Sequence, residues 1–438
     1  MQLSPADRSA YLERIGIDAV AIDVPPSLES LRALHVAHLE RVPFENLDIH
    51  VGRAIELDEH RILDKIVHRR RGGFCYELNS AFAALLTSLG YEVTLAEARV
   101  FDGDDLGIAF DHLCLLVDVD RRYLVDVGFG DSFVAPLVFE PDVEQQDRAG
   151  RFTIEAVGDG WFDLIRNGRP QYRFSPTPRA LDDFAPGCHH HQTAQASGFT
   201  RRPLASRLTP TGRLTLTGMS LHEKTDGIRT ETPVAPDDLG RVLAERFGLG
   251  LADDDLGLLV DASGRGAALF DTAIGRCGVG WVEQRITIVA LPERSDAATL
   301  ARAAAAVGVD DAAQPPLFVR RGIDAMIDLV AGNRRSLDDL LVDFGDAPAF
   351  DRSAWELART IPPGDVMTYG AMAKRLGQPG GAQAVGGAMG RNPVPLIVPC
   401  HRVIAADGKL GGFSANGGTV TKRRLLEIEG APIDRSLF

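Results

Sequence analysis

Up to about residue 89 the apolar residues recur at helical spacing, and the pattern then changes period. The helical stretches cover residues 11–15, 28–39 and 62–68, with Pro25-Pro26 and Pro43 as punctuation. A further one follows Cys75, where Leu78, Phe82, Leu85, Leu86 and Leu89 repeat at helical intervals and Gly90 is a stop signal. From Tyr91 onward short β-like runs take over: YEVTLAEARV, HLCLLVDV, RYLVDVGF, RFTIEAV, WFDLI and RLTLTG. This order predicts a helical segment followed by a barrel-like β segment. A helix is expected over residues 239–247, then a domain boundary in GLGLADDDLGLL near Gly257. Strands follow at AALFDTAI, VGWVEQ and ITIVALP, a helix at 297–307, a loop at DDAAQPP, and helices at 323–330 and 337–341. A last, mainly helical unit begins near Phe350. The pattern predicts a multidomain α+β chain divided into residues 1–255, 256–344 and 345–438, without internal repeats.

Composition narrows the class. The chain has 438 residues, 45% apolar and 25% charged, which fits several packed domains and excludes global disorder. A net charge of −14 argues against a surface that binds nucleic acid or anionic lipid throughout. The five cysteines, Cys75, Cys114, Cys188, Cys277 and Cys400, are far apart and form no CxxC pair. They read as reduced thiols of a cytoplasmic protein, with no disulfide framework and no all-cysteine zinc site. The N-terminus is too polar for a signal peptide, and no run reaches the length of a membrane span. The triplet His189-His190-His191 lies in a Pro/Gly-rich stretch without partner carboxylates, so a surface loop is expected there and no metal.

The first chemical candidate is RGGFCYELN. Cys75 sits at the start of a helix, where unpaired N–H groups and the helix dipole favour a thiolate, and Gly72 and Gly73 leave room beside the sulfur. The alternative is a core cysteine packed as a small hydrophobe. A nucleophile needs a base, and the base an orienting acceptor. HLCLLVDV and RYLVDVGF, paired as a hairpin centred on Asp120, would make His112 and Asp126 near cross-strand neighbours. A buried strand-edge histidine beside an unrelated aspartate is the competing reading.

Taken together, RGGFCYELN, FDHLCLLV and LVDVGFG, with VPFENLDI upstream and HQTAQASGF downstream, resemble the arylamine N-acetyltransferases over roughly residues 5–250. The resemblance implies a cysteine-protease-like acetyltransferase fold of helical bundle, β-barrel and α/β lid. It implies Cys75 as nucleophile, His112 as base and Asp126 as orienter. Acetyl-CoA would acylate Cys75, and an arylamine or hydrazine would then take the acetyl group. Phe44, Phe129 and Phe199 are candidate walls of the acceptor pocket, with simple packing as the alternative for each.

The C-terminal part carries a second candidate. Residues 346–438 hold eleven Lys/Arg against eight Asp/Glu, a local charge of +3. Arg391, Arg402 and the cluster Lys422, Arg423 and Arg424 are a mild footprint for phosphate contact, and a solvated helix face explains them equally well. Two short helices, at 369–376 and 382–389, flank a Pro-Gly-Gly turn as in a helix-turn-helix, and the second is almost all Ala and Gly. The proline-rich run RNPVPLIVPCHRV delivers Cys400 and His401 side by side.

PCHRV, with IPPGDVMTYG, GGFSANGG and LLEIEG, resembles the O6-alkylguanine-DNA alkyltransferases from about residue 349 to 431, and more weakly over 269–344. The resemblance implies a small RNase-H-like α/β domain followed by a winged helix-turn-helix-like domain acting on double-stranded DNA that carries O6-alkylguanine. By position it makes Cys400 the alkyl acceptor, activated by His401 and Glu429 and braced by Asn392. Tyr369 would help rotate the target nucleotide and Ser414 would contact the flipped guanine. Gln383 stands where the family places an arginine, with Arg391 as a nearby charge, so weaker DNA affinity is expected. No metal and no membrane partner is implied. Two alternatives remain open: a C-terminal unit that binds alkylated DNA without transfer, and an N-terminal unit with another acyl donor or acceptor.

Overall fold

The computed structural model describes residues 3–18, 25–103, 105–194, 197–406, 409–414 and 416–431. The chain divides into two compact units, Met1–Val260 and Asp261–Phe438.

The first unit opens with the helical segments Pro5–Ile15, Leu28–Arg41, the short Leu47–His50, Glu59–Leu63 continuing into a π-helical turn Asp64–His68, and Cys75–Ser88. Tyr11, Leu31, Leu34, Ile66, Phe82 and Leu85 are completely buried where these helices meet. The apolar spacing read from the sequence is the inner face of each. The central strands of a long antiparallel sheet run in the order Arg122–Val125, His112–Asp118, Glu92–Asp102, Arg169–Pro178, Trp161–Arg166 and Gly150–Gly158. The end strands, Leu137–Val138 and Gln145–Asp147, come together: the Gln145 side chain donates to Val138 O at 2.8 Å and accepts from Val138 N at 2.7 Å. One side-chain amide thus nearly closes the sheet into a barrel, and its edges are spent on each other.

A second antiparallel sheet orders Phe44–Glu45, Leu204–Thr209, Gly212–Thr217, Ser220–Thr225 and Ile228–Pro233. Several of these strands were not anticipated. Ile228–Pro233 is exposed at every position, so it lacks the alternation that marks a half-buried strand. Arg169–Pro178 begins and ends among prolines, which are uncommon inside strands, and the sequence analysis assigned it no element. The stretch expected as a domain boundary near Gly257 does hold the division, between Val260 and Asp261, but it is a helix, Asp253–Ser263, whose Leu259 is buried against Leu243 and Phe247.

In the second unit an antiparallel meander, Arg265–Thr272, Gly275–Val282 and Arg285–Ala290, carries the helix Asp296–Val307. The helices Leu317–Val330, Ala349–Arg359, Tyr369–Arg375, Ala382–Gly390 and Thr419–Glu429 follow. Val279, Val289, Met326, Trp355, Val385 and Val398 share one core, so meander and helices fold together. The helix expected at 337–341 is absent. The Leu337, Asp338 and Leu340 carbonyls accept from the Arg359 guanidinium, and Leu341 O accepts from Ile286 N, so those carbonyls are taken by tertiary partners.

Beneath the Cys75 helix lies a buried ionic cluster. Lys65 Nζ stands 2.8 Å from both Glu77 and Asp48, and Arg71 is 2.8 Å from Glu45 and 3.1 Å from Asp48. All five side chains are at most 6% exposed. Their charges hold one another inside, and removing a cation strands the carboxylates. Replacing Lys65 with Met is therefore expected to destabilise the first unit by about 3–5 kcal/mol, read as a lower midpoint in urea-induced unfolding.

Candidate active sites

The nucleophile loop is clamped before chemistry begins. Gly73 bridges in parallel to Phe44, with Glu45 N donating to Gly73 O at 2.8 Å. A Cβ on Gly72 would lie 2.0 Å from Pro43 O, so only glycine lets the loop pass this close. Cys75 is the first residue of its helix, and Glu77 reaches back to accept from Phe74 N at 3.2 Å.

The strands His112–Asp118 and Arg122–Val125 form the expected hairpin, in the register Leu115↔Val125 to Asp118↔Arg122. Continued, that register sets Asp126 opposite Cys114 and diagonal to His112. The pair is thus two places apart on one face, a reach that side chains of this length span. His112 Nε2 lies 2.8 Å from Asp126 Oδ2, and both residues are buried. Asp126 Oδ1 accepts from Asn79 Nδ2 and Gly128 N, each at 2.9 Å. Burial works to raise the Asp126 carboxyl, but the histidine charge and these donors hold it below its ordinary range. With Nε2 occupied, Nδ1 is the ring nitrogen left to receive a proton.

Burial pushes the Cys75 thiol well above its usual range, against the pull of the Leu113 N–H. Burial thus opposes the helix N-terminus, which favours a thiolate, and a base that takes the proton of the sulfur would offset it. Cys75 and His112 line a cleft of about 370 Å³, which Phe44, Phe129 and Phe199 also line. Phe44 stands 5.8 Å from Phe199, and Phe129 meets the His112 ring edge-on at 5.3 Å.

The histidine triplet is not a surface loop. It lies in the helix Ala185–Thr193, and His191 is buried with partners Asp111 and Ser197. A helix with Pro and Gly near its start reads as loop by composition; its burial comes from tertiary packing. Among the described residues no group of His, Cys, Asp and Glu is placed to hold a metal.

In the second unit, Cys400, His401 and Arg402 form one buried 3₁₀ turn after Pro399. His401 Nε2 lies 2.9 Å from Glu429 Oε1, and the Arg402 guanidinium grips both Glu429 oxygens at 2.8 Å. Arg402, expected to contact DNA, is therefore turned inward and spent on Glu429. Lys422, counted with the late basic cluster, is fully buried; its Nζ donates to Val403 O at 2.6 Å and lies 3.3 Å from the Tyr369 hydroxyl. Burial pulls the Lys422 ammonium down to about 8. Asn392 donates to Val398 O at 2.8 Å and accepts from Val394 N at 3.0 Å, bracing the proline run. Burial pushes the Cys400 thiol up, while Asn392 and the Lys422 charge pull it back.

Cys400, Asn392, Ser414 and Phe413 share a cavity of about 30 Å³. Gln383 is exposed on the second short helix. Arg391 does not stand free beside it: its guanidinium pairs with both oxygens of buried Asp351, at 2.7 and 2.9 Å.

Against known proteins, residues 27–256 match the model of the family described as N-acetyltransferase, more than half of the chain. The chain belongs to the N-acetyltransferase family. An arylamine N-acetyltransferase / N-hydroxyarylamine O-acetyltransferase of Salmonella typhimurium is 32% identical over 272 residues, covering 60% of this chain and 96% of that protein. Arylamine N-acetyltransferase 1 of Homo sapiens is 30% identical, over 56% of this chain and 94% of its own length. Among solved structures, the Salmonella typhimurium arylamine N-acetyltransferase aligns with TM-score 0.55 at 30% identity, over 60% of this chain and all of that one. The Mycobacterium marinum enzyme in complex with CoA aligns with TM-score 0.51 at 31% identity, over 57% and 96%. Residues 349–431 match the 6-O-methylguanine DNA methyltransferase DNA-binding domain. No helix among the described residues is long and apolar enough to cross a membrane.

In this acetyltransferase the sequence reading missed the groups that hold the site in place. Asn79 was visible in RGGFCYELN as a polar residue one helical turn after Cys75, and it joins Asp126 to Val127 N at 2.9 Å and to Leu113 O at 2.7 Å. Gly128 could not be singled out, yet a Cβ there would lie 2.7 Å from Cys75 Cα. Lys422 was read only as a charge.

In the second unit Glu429 is held at about 2 against an ordinary 4.5, because His401 and Arg402 outweigh the cost of burial. The unfolded carboxyl therefore takes up a proton before the folded one does. Its stabilisation is complete above pH 4.5 and is lost as pH falls toward 2. A difference of this size corresponds to about 3 kcal/mol. Glu429→Gln is expected to flatten the acid limb of the second unit's stability curve, measured by urea unfolding across that window.

Proposed function

We propose that the chain is bifunctional: an acetyl-CoA-dependent N-acetyltransferase for arylamines and hydrazines, and a stoichiometric acceptor of alkyl groups from O6-alkylguanine in double-stranded DNA. The first reading rests on Cys75 and His112 sharing one aromatic-walled cleft, with His112 2.8 Å from Asp126. His112 takes the Cys75 proton, and the sulfur attacks the acetyl carbonyl of acetyl-CoA. Coenzyme A leaves with that proton, and an acetyl thioester remains on Cys75. The amine nitrogen then attacks the thioester, His112 accepts the amine proton, and the Cys75 thiol is restored. Asp126 keeps the imidazole in the tautomer with Nδ1 bare and stabilises its cation. The relatives named as arylamine N-acetyltransferases support acetyl-CoA and arylamines as the substrates.

The second reading rests on the grouping of Cys400, His401 and Glu429 within the 349–431 match. His401, oriented by Glu429, draws the Cys400 proton. The sulfur attacks the alkyl carbon on guanine O6, the C–O bond breaks with its electrons going to the base, and the base takes up a proton and leaves as guanine while the thioether stays on the protein. In this reading residues 256–344 form the RNase-H-like domain and 345–438 the DNA-binding acceptor domain. Tyr369, Asn392 and Ser414 surround the flipped base, and Gln383 enters the stack in place of an arginine. The cavity beside Cys400, about 30 Å³, is smaller than a purine. With Arg391 paired to Asp351, no cation on this helix replaces the missing arginine, which favours weak DNA affinity.

Intact-protein mass spectrometry after separate exposure to acetyl-CoA and to O6-methylguanine duplex tests both readings. An acetyl adduct on Cys75 and a methyl adduct on Cys400 are expected, lost in Cys75→Ala and Cys400→Ala respectively. A wild-type chain left unmodified by the duplex would make the second unit a binding module. Asp126→Asn is expected to lower kcat for arylamine acetylation by roughly 10²–10⁴, with the Cys75 adduct still forming on long incubation. Gln383→Arg is expected to tighten binding to alkylated duplex by about tenfold in a gel-shift titration, and an unchanged affinity would sink the account of Gln383.

A further inference from the structure

His191 stands in the acceptor cleft with both ring nitrogens engaged. Nε2 lies 3.0 Å from Asp111 O and 3.0 Å from Asp111 Oδ1, both acceptors, so this nitrogen carries the proton. Nδ1 is then the acceptor, 3.1 Å from Ser197 Oγ, and the serine oxygen accepts from Phe199 N at 3.2 Å. The result is one directional chain: Phe199 N–H to Ser197, Ser197 O–H to His191, His191 N–H to Asp111. At one end is the backbone of Phe199, whose ring walls the acceptor cleft. At the other is the residue immediately before His112. The Phe199 ring also packs edge-on against the imidazole at 5.1 Å.

Asp111 is itself fixed on its other sides. Tyr76, the residue after Cys75, donates its hydroxyl to Phe110 O at 2.7 Å and Asp111 O at 2.9 Å, and Asp111 Oδ2 accepts from Val100 N at 3.0 Å. Phe110 has a φ of +57°, a strained conformation for a large residue, so this turn depends on outside partners. His191 is the partner that ties it to the acceptor wall.

We propose that His191 is a positioning and specificity-determining residue of the acetyl transfer: through Ser197 it sets the Phe199 wall against which the acceptor ring packs, and through Asp111 it sets the approach of His112. This rests on the Cys75–His112–Asp126 reading above. The two contacts are separable because they use different ring atoms. Asparagine at 191 places a polar atom where Nδ1 stands and keeps the Ser197 contact. Glutamine places one where Nε2 stands and keeps the Asp111 contact.

The experiment resolves the two half-reactions in the full chain. Acetylation of Cys75 by acetyl-CoA is followed by intact mass, and transfer to 4-methoxyaniline by single-turnover decay of the acetyl-enzyme at varied amine concentration. His191→Gln is expected to raise the amine concentration for half-maximal transfer about tenfold with the limiting rate held within threefold. His191→Asn is expected to show the reverse: a limiting rate about tenfold lower, with the half-saturating concentration held within threefold. His191→Ala is expected to carry both defects. If the two variants lose rate and saturation together, in proportion to a fall in thermal midpoint, the histidine only supports the fold and the proposal is overturned. Wild-type values in all three variants overturn it equally. Failure of the wild-type chain to form a Cys75 adduct would remove the reading beneath it, and is distinguished by that measurement alone.

Discussion

A buried carboxylate that must be fully satisfied is the constraint on which the N-terminal site depends. Asp126 is sealed from water, so its charge survives only because His112, Asn79 and Gly128 all donate to it. Each donor comes from a different piece of chain: the start of one strand, the second turn of the Cys75 helix, and the turn after the partner strand. Satisfying the carboxylate therefore fixes the helix against the hairpin. The cysteine at the head of that helix and the histidine at the head of that strand then line one cleft as a consequence. The ionic cluster under the helix does the same work from below, with Lys65 and Arg71 paired to Glu45, Asp48 and Glu77, and Arg53 also on Asp48.

The second unit solves the same problem over a shorter path. Glu429 is again a buried carboxylate with a histidine on one oxygen, but its second partner is Arg402, the residue after that histidine. A whole turn of chain, Cys400 to Arg402, is thus anchored to one side chain on the last described helix. Both thiols are raised by burial. Each has a carboxylate-oriented histidine beside it in space or in sequence. In the proposed chemistries the demands then diverge. The thioester on Cys75 has to remain reactive toward an amine, and the 370 Å³ cleft gives that amine a place to enter. The thioether on Cys400 is inert once formed, so that site has no second substrate to admit.

What could be read directly from the chain was chemistry carried by neighbours in sequence. The segment RGGFCYELN set a cysteine at a helix start, and the hairpin centre at Asp120 brought His112 and Asp126 to one face, because local spacing and a short turn dictate those placements. The aromatic residues Phe44, Phe129 and Phe199 do line the cleft with Cys75. The errors share a cause. The histidine triplet, the stretch 337–341 and the helical state of 253–263, where the chain does divide, were judged by local composition. Their states are set by distant partners: Asp111 and Ser197 for His191, Arg359 for the carbonyls at 337–340, and Leu243 and Phe247 for Leu259. Arg402 and Lys422 were judged by charge, and the fold turned both inward.

The sequence alone determined the order of elements, the two cysteine centres and the residue types that attend them, since these follow from periodicity, turn chemistry and adjacency. Tertiary structure decided protonation and orientation. Whether Cys75 is a thiolate or a thiol depends on how much water the fold removes, which no local pattern reports. Whether Asp126 lies opposite His112 or diagonal to it depends on a strand register fixed by packing on both faces. Which charges face solvent depends on where buried carboxylates require a partner, and that requirement exists only once the chain has closed around them.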